Sequence, residues 1–244
     1  MGFLTVDGKK ETNTRFNGAD QHLIRGSSGF SNGEVSGLYK DCVDRASDLT
    51  GVIVIYDIVM PNHMHQMLSC ECCEAMTEFY MRTNTRFAKN AIKITDRTTG
   101  KLLFPEKKVF MSGPMITPQM GLEQFLCTIS YYYHNGDRLK EIEFGGGEYR
   151  KSAAWEYEKG IRTIDNDPLL MMLKMTWPEL SKMMNLPLRE RMKAIHEFAA
   201  RQDKKTINRL FKIDPGKPFT SSPGRQAKDA MNSFLKLIED NKLR

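Results

Sequence analysis

The chain has 244 residues, 40% hydrophobic and 27% charged, ordinary values for a globular protein that buries a core without disulfide or metal staples. No apolar run approaches the ~20 residues of a bilayer-crossing helix, Met1 to Glu11 lacks the apolar core of a secretory signal, and an odd cysteine set (Cys42, Cys70, Cys72, Cys73, Cys127) is not a secreted disulfide framework. A cytoplasmic protein with no membrane partner is expected. The net charge is +6, and the eleven basic against five acidic residues from Arg201 onward account for all of it. A basic tail suits a phosphate backbone, and charge alone fits a solvated surface equally well.

Met1 to Asp20 is polar and rich in Gly, Asn and Thr, so a loose start is expected, then a short strand over Asp20 to Arg25 and a turn over Gly29 to Asn32. Val35, Leu38, Tyr39, Cys42, Val43 and Ala46 recur at helical spacing and predict a helix from Asn32 to about Leu49. Gly51 to Met60 is a nearly continuous β-branched and aromatic run, which predicts a central strand covered on both faces. Pro61 and Asn62 interrupt it, and His63 to Ser69 reads as a second strand. From Glu74 to about Ile92, Met76, Phe79, Tyr80, Thr83 and Phe87 form a helical stripe.

Thr98-Thr99-Gly100 is a turn, with short strands expected over Lys101 to Phe104 and Lys107 to Met111. Pro114 and Pro118 break the chain before a helix from about Gln119 to Asn135. Gly145-Gly146-Gly147 reads as a linker, followed by short helices interrupted by Pro168, Pro178, Pro187 and Pro215. This order predicts an α+β fold: a ferredoxin-like split β-α-β with a central, mostly antiparallel sheet and helices packed on it, plus a C-terminal helical extension. A main domain over 1–147 and a basic helical extension over 148–244 are expected.

The chemistry centres on His63-Met64-His65. Residues two apart on a strand share a face, so both imidazoles converge on one point, and neutral imidazole is a common metal ligand. The bare pattern also fits two surface histidines on an edge strand. Its flanks add more. Tyr56 to Leu68 (Y-D-I-V-M-P-N-H-M-H-Q-M-L) resembles the signature of REP-associated tyrosine transposases, insertion-sequence transposases of the His-hydrophobic-His nuclease class. In that family a buried strand runs into Met-Pro-Asn-His-x-His.

The resemblance implies a nucleophilic tyrosine on a later helix, within Tyr-Ile-x-x-Asn-Pro. Ser130-Tyr131-Tyr132-Tyr133-His134-Asn135-Gly136 occupies that place and matches Tyr131 to the nucleophile and Asn135 to the asparagine. At ~100° per residue, Leu122, Phe125, Leu126, Ile129 and Tyr133 form one apolar stripe, Tyr132 flanks it, and Tyr131 lies almost opposite, on the side of Asn135. Helical phase alone describes an amphipathic helix with one exposed tyrosine. The resemblance further implies cleavage and rejoining of single-stranded, hairpin-bearing DNA, a phosphotyrosine on the 5′ side of the break, and magnesium or manganese (Mg2+ or Mn2+) held by His63 and His65; Asn135, one helical turn from Tyr131 on the same side, is a candidate to complete the metal shell with its amide oxygen or to orient the phosphate. The resemblance covers, more weakly, Arg15 to Tyr157, including Phe79 to Arg86, Gly100 to Phe104 and Glu148 to Ser152. The chain departs from the family in Asn135-Gly136-Asp137-Arg138, where Asn-Pro-Val-Arg is usual. It also has Met60 where some relatives carry a carboxylate.

Arg82, Arg86 and Lys89 lie near one helical face and are candidates for phosphate contacts or a solvated face. Lys204, Lys205 and Arg209 are further candidates, within a segment (Asp203 to Ile213, after a helix from about Arg189) that fits a helix-turn-helix-like reader or a solvated tail. Cys70-x-Cys72-Cys73 matches no strong zinc spacing. Two other classes share these features: a DNA-binding relative that does not cleave, and a replication initiator or relaxase-type nicking enzyme. A monomer and a homodimer are both compatible with the sequence.

Overall fold

The computed structural model describes residues 15–24, 27, 29–71, 73–143, 152–162 and 167–211, with backbone alone at 73 and 136–143. The expected linker at 145–147, the domain boundary at 147/148, the segment 148–151, Arg25, Cys72, Pro215 and the basic residues beyond 211 lie outside the described residues. The strands are β1 (Phe16–His22), β2 (Ile53–Val59), β3 (His63–Ser69) and β4 (Met115–Pro118). The long helices are α1 (Gly33–Thr50), α2 (Cys73–Ala91) and α3 (Leu122–Glu143). Shorter helices follow: α4 (Ala153–Glu158), α5 (Pro168–Leu173), α6 (Trp177–Met184), α7 (Leu188–Ala200) and α8 (Lys204–Phe211). The strands form one antiparallel sheet in the order β2-β3-β1-β4, the split β-α-β arrangement.

Local chemistry sets the helix ends. The Asn32 side chain accepts from the amides of Glu34 and Val35 at the start of α1, and Gly51, at φ 72°, ends that helix in the left-handed region that glycine enters without strain. Pro168 and Pro178 sit in the first turns of α5 and α6, and Pro187 caps α7. These prolines open helices, where a missing amide donor costs nothing. Among the described residues, no helix is long and apolar enough to cross a membrane.

The sheet separates two cores. On one face, α1 and α2 bury Tyr39, Val43, Phe79 and Phe87 against Ala19, Met64 and Leu68. On the other, α3 and the helices after it bury Phe125, Leu126, Leu170 and Leu180 against Phe16, Ile58 and Met67. Phe16 packs between Phe125 and Phe211, ring centroids 5.2 and 4.8 Å away, and burying each such ring contributes roughly 1.5–3 kcal/mol. The described C-terminal helices therefore share a core with the sheet.

Four expectations are corrected. The first strand begins at Phe16, because Phe16 and Ala19 are buried by the sheet despite the weak strand propensity of Asn17-Gly18. β2 is an edge strand; its apolar run reflects cover on both faces, and its free side is closed by a bridge from Ile58 to Ser152 and by Arg162 donating to the carbonyls of Val54 and Ile55. Lys101 to Phe104 and Lys107 to Met111 make only single bridges, Thr95 to Leu102 and Leu23 to Phe110. The fourth strand is Met115–Pro118, at an edge where proline is tolerated. Finally, α3 runs past Asn135 and Gly136 to Glu143.

Candidate functional site

The turn before β3 is pinned from three sides. The Met60 amide donates to the His63 carbonyl, and the carbonyls of Pro61 and Asn62 accept from Phe30 and Leu23. β3 therefore starts at a fixed place. Its alternation sends Gln66 toward α1 and α2, where the hydroxyls of Tyr39 and Tyr80 donate to it. His63, His65 and Met67 take the opposite face, toward α3. On β1, Asp20 stands opposite His65 and His22 opposite His63.

The two imidazoles meet with Nε2 atoms 3.0 Å apart. His63 Nδ1 lies 2.7 Å from Asn62 Oδ1, and His65 Nδ1 lies 2.5 Å from Asp20 Oδ1. A ring that donates from Nδ1 carries its lone pair on Nε2. Two lone pairs facing each other this closely repel unless a proton or cation lies between them. Ligands ~2.1 Å from a six-coordinate ion and at right angles stand ~3.0 Å apart, so the spacing fits a hard divalent ion. Burial, then the neighbouring His65 and His22, lower the His63 pKa to about 4, partly opposed by Asp20, which keeps that ring neutral and able to ligate. Among the described residues, no group of three or more His, Cys, Asp or Glu side chains is arranged to hold a metal. Further ligands would have to be amide, water or phosphate oxygens.

α3 is anchored over this face by Gln119. Its amide donates to the Phe16 carbonyl, and its side chain accepts from Thr128. Tyr131 is 56% exposed and its ring meets His65 edge-on, centroids 5.4 Å apart. Tyr132 is 3% exposed and stacks on His65 at 5.0 Å. Burial, then the Asp20 carboxylate, push the Tyr132 hydroxyl well above the usual tyrosine range. The expected order of burial is thus corrected at one point: Tyr132, not Tyr133, is the core residue. Tyr133 is half-buried beneath α6, where Asn185 donates to its hydroxyl. Helical phase misses this because α3 has cover on two sides, the sheet and the C-terminal helices. Asn135 is buried, and its amide nitrogen has no hydrogen-bond partner.

The basic candidates are not brought to the histidines. Arg82, Arg86 and Lys89 line, with Arg45, a cleft of about 750 Å³ between α1 and α2, on the opposite face of the sheet, and Arg82 is paired with Glu78. Lys204, Lys205 and Arg209 are exposed on α8, whose Phe211 packs at the Phe16 end of β1, away from Asp20 and His22. Asp57 turns toward Arg162. Asp20 and His22 are the residues that sequence reasoning missed. The alternation Phe16, Gly18, Asp20, His22 was the available signal, hidden by the weak strand propensity around it.

The fold and site together define an α+β protein with two paired imidazoles on a sheet, facing an exposed tyrosine on a covering helix. No family model and no curated protein matches the chain. Two solved structures are similar to it in backbone arrangement. One is a REP-associated tyrosine transposase bound to a REP hairpin, with 11% identity, 55% of this chain and 74% of that chain covered, and a TM-score of 0.41. The other is a candidate transposase from Deinococcus radiodurans, with 13% identity, 54% and 97% covered, and a TM-score of 0.35. The chemistry of the site rests on its own residues.

Proposed function

We propose that this chain is a transposase-like nuclease and ligase. It cleaves and rejoins single-stranded, hairpin-bearing DNA through a covalent phosphotyrosine at Tyr131. The observation that carries this reading is the pair of imidazole Nε2 atoms 3.0 Å apart, with the exposed Tyr131 ring edge-on to His65, ring centroids 5.4 Å apart. The motif around His63 and His65 supports it. His63 and His65 would hold magnesium or manganese, and the amide of Asn135, a buried residue whose amide nitrogen has no hydrogen-bond partner, is the candidate to add a third ligand or to orient the phosphate. A bound ion would supply Lewis-acid stabilisation of charge on the scissile phosphate and favour the phenolate.

The reaction is a transesterification. A bond forms from Tyr131 Oη to phosphorus as the bond from phosphorus to the 3′-oxygen breaks. The phenolic proton passes to water, and the departing oxygen takes up a proton to become a 3′-hydroxyl. The phosphodiester energy is retained in the tyrosine ester, so attack by a 3′-hydroxyl rejoins the strand without ATP. Tyr132 stays protonated and buried, and Tyr133 is engaged by Asn185, which leaves Tyr131 free to react. Arg82, Arg86, Lys89, Lys204, Lys205 and Arg209 would contact the DNA backbone outside the reacting centre.

The test is incubation with a labelled hairpin oligonucleotide bearing a single-stranded flank, followed by denaturing electrophoresis. A covalent adduct is expected with magnesium or manganese, and none with EDTA or with Tyr131→Phe. An undiminished adduct in Tyr131→Phe would discard Tyr131 as nucleophile. Tight hairpin binding with no adduct in either metal would make the chain a non-cleaving binder.

A further inference from the structure

We propose that Asp20 is a positioning residue that locks His65 in a single tautomer, which makes the two histidines unequal partners. The inference rests on the reading of His63 and His65 as metal ligands. Its physical content, the state of one ring, can be measured without metal.

The two Nδ1 partners differ in kind. Asn62 is the chain neighbour of His63, and its amide can present either oxygen or nitrogen to the ring. Asp20 comes from β1, and an ionised carboxylate only accepts. At 2.5 Å from Asp20 Oδ1, His65 Nδ1 must donate. The neutral ring then always carries its lone pair on Nε2, the atom facing His63. His63 can exchange tautomers as Asn62 turns; His65 cannot.

The surroundings hold this arrangement. The His65 side chain is 4% exposed, with Tyr132 stacked at 5.0 Å and His63 and Tyr131 edge-on at 4.7 and 5.4 Å. The ring has little room to turn away. Asp20 is in register with His65 on one side and Met115 of β4 on the other, so its backbone lies in the middle of the sheet. A carboxylate in this place raises the basicity of the ligating nitrogen as well as aiming it. Strand pairing is what brings Asp20 to His65.

The test uses the full chain, stripped of metal, with long-range proton–nitrogen correlation of the imidazoles by NMR. The wild type is expected to show His65 as the Nδ1–H tautomer alone. Asp20→Ala should populate the Nε2–H form, and Asp20→Asn a mixture, because the amide can accept or donate. Far-UV circular dichroism checks the fold, and Asp20→Asn decides if Asp20→Ala does not fold. In parallel, free Mn2+ counted by electron paramagnetic resonance should report affinity about 10–100-fold weaker in Asp20→Ala, with Asp20→Asn in between. A His65 tautomer unchanged in both variants overturns the proposal, as does Mn2+ affinity unchanged in Asp20→Ala when His65→Ala abolishes it. A wild type that binds no Mn2+ and forms no DNA adduct defeats the metal-centre reading instead, and the tautomer measurement still decides the role of Asp20.

Discussion

Tyr132 lies flat on the His65 imidazole, centroids 5.0 Å apart and planes 19° from parallel, while Tyr131 meets the same ring edge-on at 70°. Adjacent residues on one helix thus take different parts. The buried ring walls in His65, and the exposed ring stands at the surface, 56% exposed. The wall needs the flat ring more than its hydroxyl.

Tyr132→Phe keeps the ring and is expected to form the DNA adduct within about threefold of wild type, with a stability loss of about 1 kcal/mol from the hydroxyl. Tyr132→Ala removes a buried aromatic and should cost about 3–5 kcal/mol, with Mn2+ affinity reduced as well. Denaturant unfolding and adduct yield, measured beside Tyr131→Phe, separate the buried wall from the proposed nucleophile. Equal loss of adduct in Tyr132→Phe and Tyr131→Phe would contradict the division.

Gly18 of β1 lies tight against Tyr132 of α3. A Cβ there would stand 3.0 Å from Tyr132 Oη and 3.2 Å from Gln119 Nε2. Gly18→Val is therefore expected to tilt Tyr132 off His65 at a cost of about 1–3 kcal/mol. The same variant should bind Mn2+ more weakly by titration. Unaltered affinity would show that the stacking does not position the imidazole.

Acid should loosen the metal-free protein through His63. Its folded pKa, about 4, lies below the ordinary histidine value because of burial and the adjacent His65 and His22. Between those values the unfolded chain binds the proton and the fold does not, so stability is fully present above ~6.5 and is lost as pH falls toward the folded value. The denaturation midpoint of chelated protein is expected to drop between pH 7 and pH 5. His63→Gln should flatten that drop, and an identical pH profile in the variant would remove His63 as its source.

Arg162 clamps the free side of β2. It donates to Asp167, Asp57 and two strand carbonyls, and it lies over the Tyr157 ring at 5.1 Å. Burial pushes the Asp57 carboxyl up while Arg162 opposes it. Arg162→Met leaves two carboxylates without their cation and should destabilise the fold by about 3–5 kcal/mol, read by denaturant unfolding. A loss under about 1 kcal/mol would mean that solvent replaces the clamp.

The local elements were legible in the residues themselves. The stripe from Val35 to Ala46, the β-branched run of β2 and the Pro61-Asn62 break follow from period and propensity, which act over a few neighbours. His63 and His65 were legible as a pair for the same reason, since strand alternation alone puts both on one face. Tyr131 was legible as the polar-side tyrosine of α3. Tertiary structure decided what depends on residues distant in the chain. Only sheet register brings Asp20 and His22 beside the histidines, and only burial makes a strand of Phe16–Ala19. Only cover from two sides makes Tyr132, rather than Tyr133, the core residue, and only the layering of the sheet puts Arg82, Arg86 and Lys89 on its far face. A single helical or strand period encodes one buried face. It does not encode which partner covers that face, and the surroundings of His65 are set by two distant segments, β1 through Asp20 and α3 through Tyr131 and Tyr132.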